Sequence, residues 1–426
     1  MRFLLVFLPI GLFLIQLQAD IKSTNGTIKF DVNLDNSEEA TLNQTGLGIG
    51  ITPSANLHIN GNANITQSLT LGTTITSNSN LYISGTVGVS FETSSSNISI
   101  AENGTSSLIF LDNSNANLSV SLPFAGNLSG RQYTLKTNSN SFHAIISGGN
   151  VNIDQKPFIK LSNFGSCTLM SDGTEWFVID ANSLTEAWTP ALTSSFLWID
   201  ASESSSITTS NGNIDSWSDL SDQSYQFLPT TSLRRPAWAS EFLNNRPVAS
   251  FDGVNDFLEI TSGPQPGSDN QMMLYVTKLN DAHDGRVLTL KDASGTRNGL
   301  LPNYSSQASY VHAGTFATVD RSPSVTGSPI MLSGYRDGST VGVSLNGESA
   351  TTAANGDDAA TITDWMLGSF NGIGSFLKGY IAEVVVVNNY NSDDFSRIQG
   401  YLAWKWGLNG DLDAGHPYKY APPFNE

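Results

Sequence analysis

Short apolar runs that alternate with polar residues recur along this chain, many of them between Gly, Asn or Asp turn residues, and that pattern restricts it to β structure. Leu57-His58-Ile59, Leu69-Thr70-Leu71, Leu81-Tyr82-Ile83 and Leu118-Ser119-Val120-Ser121-Leu122 are examples from the first half. Side chains of a strand point to opposite faces in turn, so each run has one face to bury. The second half offers longer runs: Phe196 to Asp200, Arg246 to Phe251, Phe257 to Ile260, Met272 to Leu279, Arg286 to Leu290, Ile330 to Arg336, Val341 to Leu345 and Tyr380 to Val387. Asp172-Gly173, Asp337-Gly338 and Asn346-Gly347 are hairpin signals, because both central residues of a tight hairpin turn need positive φ. One helix is expected near the end. Ser392 caps it, Asp393 and Asp394 suit its positive end, Phe395, Ile398 and Leu402 share a face, and Gly407 stops it. The expected fold class is all-β: fibre-like β modules, then a two-sheet antiparallel sandwich with one short helix.

The chain exceeds the ~250–300 residues at which single cores stop growing, so it must divide. Arg2 followed by the apolar run Phe3 to Leu17 reads as a secretory signal over 1–19, cleaved near Ala19, and predicts a secreted or cell-surface protein. The run is shorter than the ~20 residues of a membrane-spanning helix. A β-repeat stalk is expected over 20–115, a small β module over 116–182 and a linker over 183–192. The third domain covers 193–420, and seven of the eight tryptophans lie from Trp188 onward and supply a large core. Asp and Glu total 38 against 20 Lys and Arg, with no basic tract, which excludes nucleic acid as a partner. Cys167 is the single cysteine and lies in an apolar strand-like stretch, so no internal disulfide exists and the thiol is expected to be buried and inert.

LGIGITPSANLHINGN (Leu47 to Asn62) resembles the V-G-I-G-T-x-P-x-x-x-L-x-V-x-G element of phage tail-fibre and bacterial fibre proteins. CTLMSDGTEWFVID (Cys167 to Asp180) resembles the closing phrase of small tail-fibre β modules. This resemblance implies a homotrimer assembled through the amino-terminal region. Phrases in the last domain are similar to the concanavalin A-like, laminin-G-like jelly rolls: Leu197 to Ser224, Arg246 to Ile260 and Ile381 to Leu408, in that order. The resemblance implies a jelly roll, and such folds carry lectins, adhesion modules, hydrolases and spacers alike.

The site must therefore be sought in the residues. Glucanases of that superfamily carry their carboxylates on one strand as E-x-D-x-E. No such string is present, and Glu259 and Glu383 stand alone among apolar neighbours. No catalytic residue is assigned, and the expected function is non-catalytic. Asp252, Asn255 and Asp256 place three oxygen donors within FDGVND, either as calcium ligands or as turn formers between two strands. Asp281, Asp284 and Asp292 are weaker candidates of the same kind. Trp365, Tyr304 and Tyr310 are candidates for stacking on a sugar ring. The leading expectation is a secreted adhesin or fibre protein binding an extracellular glycan or a cell-surface protein. A structural fibre component and a secreted polysaccharide hydrolase are the alternatives.

Overall fold

The computed structural model describes 20–24, 27–31, 40–42, 47–49 and 57–59, and then 91–425 apart from 105, 262, 264, 266–269, 293–294, 305–306, 313–314, 321–325 and 355–361. Two units are resolved, 1–87 and 88–426. The first contains five short strands, Asp20–Thr24, Thr27–Asp31, Ala40–Leu42, Leu47–Ile49 and Leu57–Ile59, paired in chain order. The last pair is parallel and the others antiparallel. The expected signal segment and the alternating runs at Leu69 and Leu81 lie outside the described residues.

The second unit opens with a module of stacked rungs. Phe91–Ser94, Leu108–Leu111 and Gln132–Thr137 pair in parallel, and Ile98–Ser99, Leu118–Ser121 and Ala144–Ser147 form a second parallel ladder. The long strand Phe158–Ser171 pairs antiparallel with both ladders at once and folds back as Trp176–Glu186. Asp172 at that hairpin accepts backbone N–H bonds from Thr174 and Glu175 (2.6 and 2.9 Å). Alternate Ile, Leu and Val side chains fill the space within, together with Tyr133, Trp176 and Cys167. Burial pushes the Cys167 thiol up to about 12, well away from the reactive thiolate range. The module's sheet thus begins at Phe91, earlier than 116. The segment expected as a linker is strand through Glu186, and Ala187 pairs with Phe424.

From Ser195 the chain forms the expected antiparallel sandwich. One sheet has eleven strands around Lys378–Val387, whose neighbours are Asn270–Leu279 on one edge and, sharing the other, Ser195–Asp200 and Arg246–Asp252. The second sheet has six strands in the order Leu258–Thr261, Ile362–Leu367, Leu288–Asp292, Gly295–Tyr304, Gln307–His312, Thr315–Asp320. Alternation divides the strand Asn270–Leu279 cleanly: Met273 and Tyr275 face the second sheet, while Met272, Leu274 and Val276 face the helix Ser392–Trp406. Asn346 and Gly347 have φ of 50° and 74°, as a two-residue turn of this hand requires. The helix cap is Asn391, not Ser392. The Asn391 side chain accepts from the backbone N–H groups of Asp393 and Asp394 (2.9 and 3.0 Å), which makes Ser392 the first helical residue. Gly407 ends the helix at φ 75°.

Along the central strand, alternation breaks at Ala382. Val276 pairs with Glu383 and Thr277 with Ile381, so Ala382 is an extra residue and the central strand bulges there. Without the bulge Glu383 would face the sandwich core; with it, the carboxylate points to the helix layer. There it accepts from Trp198 Nε1 (2.7 Å), Trp406 Nε1 (2.8 Å) and Lys405 Nζ (2.7 Å). Lys405 also pairs with Asp200 and reaches the Tyr401 hydroxyl (3.1 Å). None of Asp200, Glu383 and Lys405 is more than 4 % exposed. Removing the cation leaves two carboxylates buried together, a change of about 3–5 kcal/mol. Lys405→Met is expected to lower the unfolding free energy by that order, measured by equilibrium denaturation. Arg397→Ala, which breaks an exposed pair with Asp394 (3.6 Å), is expected to change it by less than about 0.5 kcal/mol.

Candidate functional site

Two of the three aromatic candidates lie inside the protein. Trp365 is on a middle strand of the second sheet with its ring in the sandwich core, packed on Phe196 at a centroid distance of 5.9 Å. Tyr310 is equally enclosed, and its hydroxyl takes a hydrogen bond from Gln271 Nε2 (2.7 Å). Both point inward by strand alternation, so neither offers a ring face to a sugar. Tyr304, at the end of its strand, is 37 % exposed.

The FDGVND candidates form a self-contained turn. Asp252 accepts from the backbone N–H groups of Val254 (2.7 Å) and Asn255 (3.2 Å), and Asp256 accepts from that of Asp252 (3.0 Å). Gly253 takes φ 79°. The two carboxylates are thus engaged in closing the turn, the second of the two readings the sequence allowed. Among the described residues no three His, Cys, Asp or Glu side chains are grouped for a metal ion.

The fold nevertheless brings this turn beside two other loops. Lys378 lies against Gly253, where an added Cβ would sit 2.6 Å from the lysine Cβ, and its ammonium donates to Asp281 (2.8 Å). That hydrogen bond holds the Asp281 carboxyl below its usual range. Asp281 also contacts His283 Nδ1, whose Nε2 lies 3.0 Å from the Lys378 backbone nitrogen. Phe257 stacks on Phe376 (6.4 Å), and Arg234 covers Phe257 (4.8 Å) while donating to the Gly372 carbonyl (2.8 Å). Around these contacts Leu233, Val254 and Ile373 are each more than two-thirds exposed.

At the same end lies a residue the sequence reading passed over. Arg286 opens the strand candidate RVLTL, yet it precedes the strand proper and is 5 % exposed. Its guanidinium lies 5.4 Å from the Tyr304 ring and 5.6 Å from Phe370. Nη2 donates to Asp284 (2.8 Å), whereas Nε and Nη1 have no partner, nor do Asp284 Oδ1 and the Tyr275 hydroxyl. Burial holds the Arg286 pKa down and pushes the Asp284 carboxyl up, each opposed by the other's charge. Buried donors left unpaired cost about 1–3 kcal/mol, so they ask for an explanation. The two unpaired N–H donors of this clamp lie beside the Tyr304 and Phe370 rings and have no exposed surface of their own. The only sequence signal was an arginine directly after Asp284-Gly285, a turn pair in a loop.

The strand carboxylates separate. Glu383 belongs to the buried network under the helix. Glu259 stands opposite Met366, two residues from Asp364, and its carboxyl is raised by burial first and by Asp364 second, with Lys291 opposing.

Asp256 gives a test of the turn. Burial pushes its carboxyl from 3.8 up to about 6. A raised pKa means the folded chain holds the proton more tightly, so this contribution to stability is complete below pH 3.8 and fades as the pH passes 6. Asp256→Asn cannot titrate. Its melting temperature relative to the parent is expected to rise between pH 4 and pH 7, measured by scanning calorimetry across that range.

No family model and no curated protein matches the sequence. Solved structures similar to parts of it include domain 4 of AbnA, a GH43 extracellular arabinanase from Geobacillus stearothermophilus, in complex with arabinotriose (16 % identity, 39 % of this chain and 81 % of that one, TM-score 0.32). A second is the ligand binding domain of botulinum neurotoxin serotype D in complex with N-acetylneuraminic acid (9 %, 51 % and 51 %, TM-score 0.37). A third is an arabinofuranosidase complexed with arabinofuranosyl-α-1,2-xylobiose (12 %, 52 % and 61 %, TM-score 0.38). This chain thus spans about half the neurotoxin domain. At such identities and TM-scores these likenesses assign neither a family nor a ligand.

Proposed function

We propose that this chain is a secreted, non-catalytic surface or fibre protein that binds an extracellular glycan or cell-surface protein through the loop end of its sandwich. The observation that carries the reading is Arg286, buried between Tyr304 and Phe370 with two donor nitrogens unpaired. Binding residues concentrate on loops held by a rigid scaffold, and here the scaffold is two packed sheets. The exposed apolar side chains of Leu233, Val254 and Ile373 add contact area around the clamp. The amino-terminal strands belong to the same reading as a stalk, homotrimeric in the fibre proteins they resemble. Binding without calcium is part of the same reading, since the Asp252 and Asp256 carboxylates accept bonds within their own turn.

The full chain is to be screened on a broad glycan panel, with calcium and with chelator. Saturable binding that survives chelation is expected, and Arg286→Met or Tyr304→Ala is expected to weaken it at least tenfold while the melting temperature of Tyr304→Ala stays near that of the parent. A bound glycan indifferent to both substitutions would remove the loop end from the reading. Silence across the panel would leave a protein ligand or a structural role. Turnover of a polysaccharide, lost in Glu259→Gln, would replace binding by hydrolysis.

A further inference from the structure

A second candidate site shares no residue with the Arg286 clamp. Where the small module meets the sandwich, the joint combines an apolar seam, backbone pairing of 186–187 with 424–425 and a side-chain bridge from Arg246. Phe158 packs edge-on against Phe424 (5.8 Å), with Ile145, Ala187 and Trp404 beside them. Arg246 bonds across to Asn152 Oδ1 (2.9 Å) and the Val151 carbonyl (3.4 Å). Next to the seam the two bodies leave a cleft of about 310 Å³. The module lines it with serines, among them Ser119 and Ser147, and the sandwich with Asn245, Arg246 and Trp404.

Each sandwich residue is held in place and has capacity left over. Asn244 and Asn245 form the two-residue turn between Leu243 and Arg246, with φ of 48° and 60°. The Asn244 amide is fixed to the Lys405 carbonyl at the helix end (2.9 Å). The Asn245 amide makes no hydrogen bond among the described residues and lies in the cleft wall. Arg246 is 3 % exposed and its Nε has no partner. Trp404 has its N–H satisfied by the Tyr418 carbonyl (2.8 Å), so its contribution to the wall is apolar ring. Lys405, the other cation of the lining, is matched by Asp200 and Glu383.

We propose that this cleft binds a short neutral saccharide. Hydroxyls and a free amide suit sugar hydroxyls, one aromatic suits the apolar face of a ring, Lys405 is paired with Asp200 and Glu383, and Arg246 is already held by two neutral oxygens. Ligand pockets span ~300–1,000 Å³, and this volume lies at the lower limit, sized for one or two rings rather than a chain. The ligand would touch both bodies, so occupancy would strengthen the joint.

The test titrates the full chain with maltose, cellobiose, lactose and mannobiose, following saturation-transfer NMR and calorimetry. At least one is expected to bind saturably. Ser119→Trp, at an exposed position in the cleft wall, is expected to weaken that binding more than tenfold, and Asn245→Gly, which keeps the left-handed backbone, severalfold. Both variants are checked for an unchanged melting temperature in the absence of sugar. Binding by none of the four would overturn the cleft site, as would binding indifferent to Ser119→Trp. Loss of binding in Arg286→Met but not in Ser119→Trp would assign the sugar to the loop end and likewise overturn it. The site stands or falls separately from the proposed function, whose substitutions lie in other loops.

Discussion

Glu383 sits in the middle of the strand that joins the two edges of the larger sheet, and it has no exposed surface. A carboxylate there is tolerable only with partners, and its partners come from two distant parts of the chain. Trp198 is on the first strand of the sandwich, Lys405 and Trp406 on the last helix, and Asp200 completes the pair with Lys405. Desolvation pushes the Glu383 pKa up, Asp200 pushes it further, and Lys405 works against both. The network therefore ties the opening strand, the central strand and the helix into one arrangement. Packing alone would specify this less sharply, because the apolar face under the helix is a row of similar side chains. Arg246 lies close enough to feel the charges of Asp200 and Glu383, and it also carries the bridge to Asn152. The polar layer beneath the helix is thus continuous with the joint to the small module.

The bulge at Ala382 is what makes this possible, and it was not legible in the sequence. The run IAEVVVV is apolar on both sides of Glu383, so period two gives no face to the carboxylate. Only the pairing with Val276 and Thr277 shows the extra residue. What could be read was whatever depends on local pattern. The eight sandwich runs named from the sequence all fall on strands, whereas Gly295–Tyr304, Gln307–His312 and Ile362–Leu367 went unnamed, and Asn346-Gly347 turns as its residue types require. The helix face of Phe395, Ile398 and Leu402 is buried as expected. The cap was one residue off because Asn391 and Ser392 are both good caps, and backbone geometry chooses between them. In the small module the run Leu118 to Leu122 was visible as a strand, but parallel rungs pair residues far apart in the chain, and nothing local names the partner.

The site was legible only in part, for the same reason. Composition could not separate Trp365 and Tyr310, which face the core, from Tyr304, which sits at a strand end. The turn chemistry of Asp252-Gly253 was readable because an Asp side chain bonds its own neighbours. Arg286 was not, since its meaning comes from Tyr304 and Phe370, brought in by two distant loops. A buried arginine with idle donors has no sequence signature. It becomes visible only when the hydrogen bonds around it are counted.

The two candidate sites differ in what their walls demand. The Arg286 clamp holds a cation whose single carboxylate partner is itself strained by burial, so an incoming oxygen, above all a charged one, improves a position that is unsatisfied. The cleft beside Asn245 has its lysine paired with two carboxylates and its arginine held by neutral oxygens, and it offers hydroxyl, amide and ring. The net charge of the whole chain is −18, which opposes the approach of an anion at long range and is indifferent to a neutral ring. Selection at the clamp would therefore rest on short-range contact after desolvation, where one buried guanidinium outweighs a screened and distant field. Selection in the cleft would rest on shape and hydrogen-bond count. One fold can carry both kinds of recognition because its loop end and its joint to the module are built from different segments of the chain.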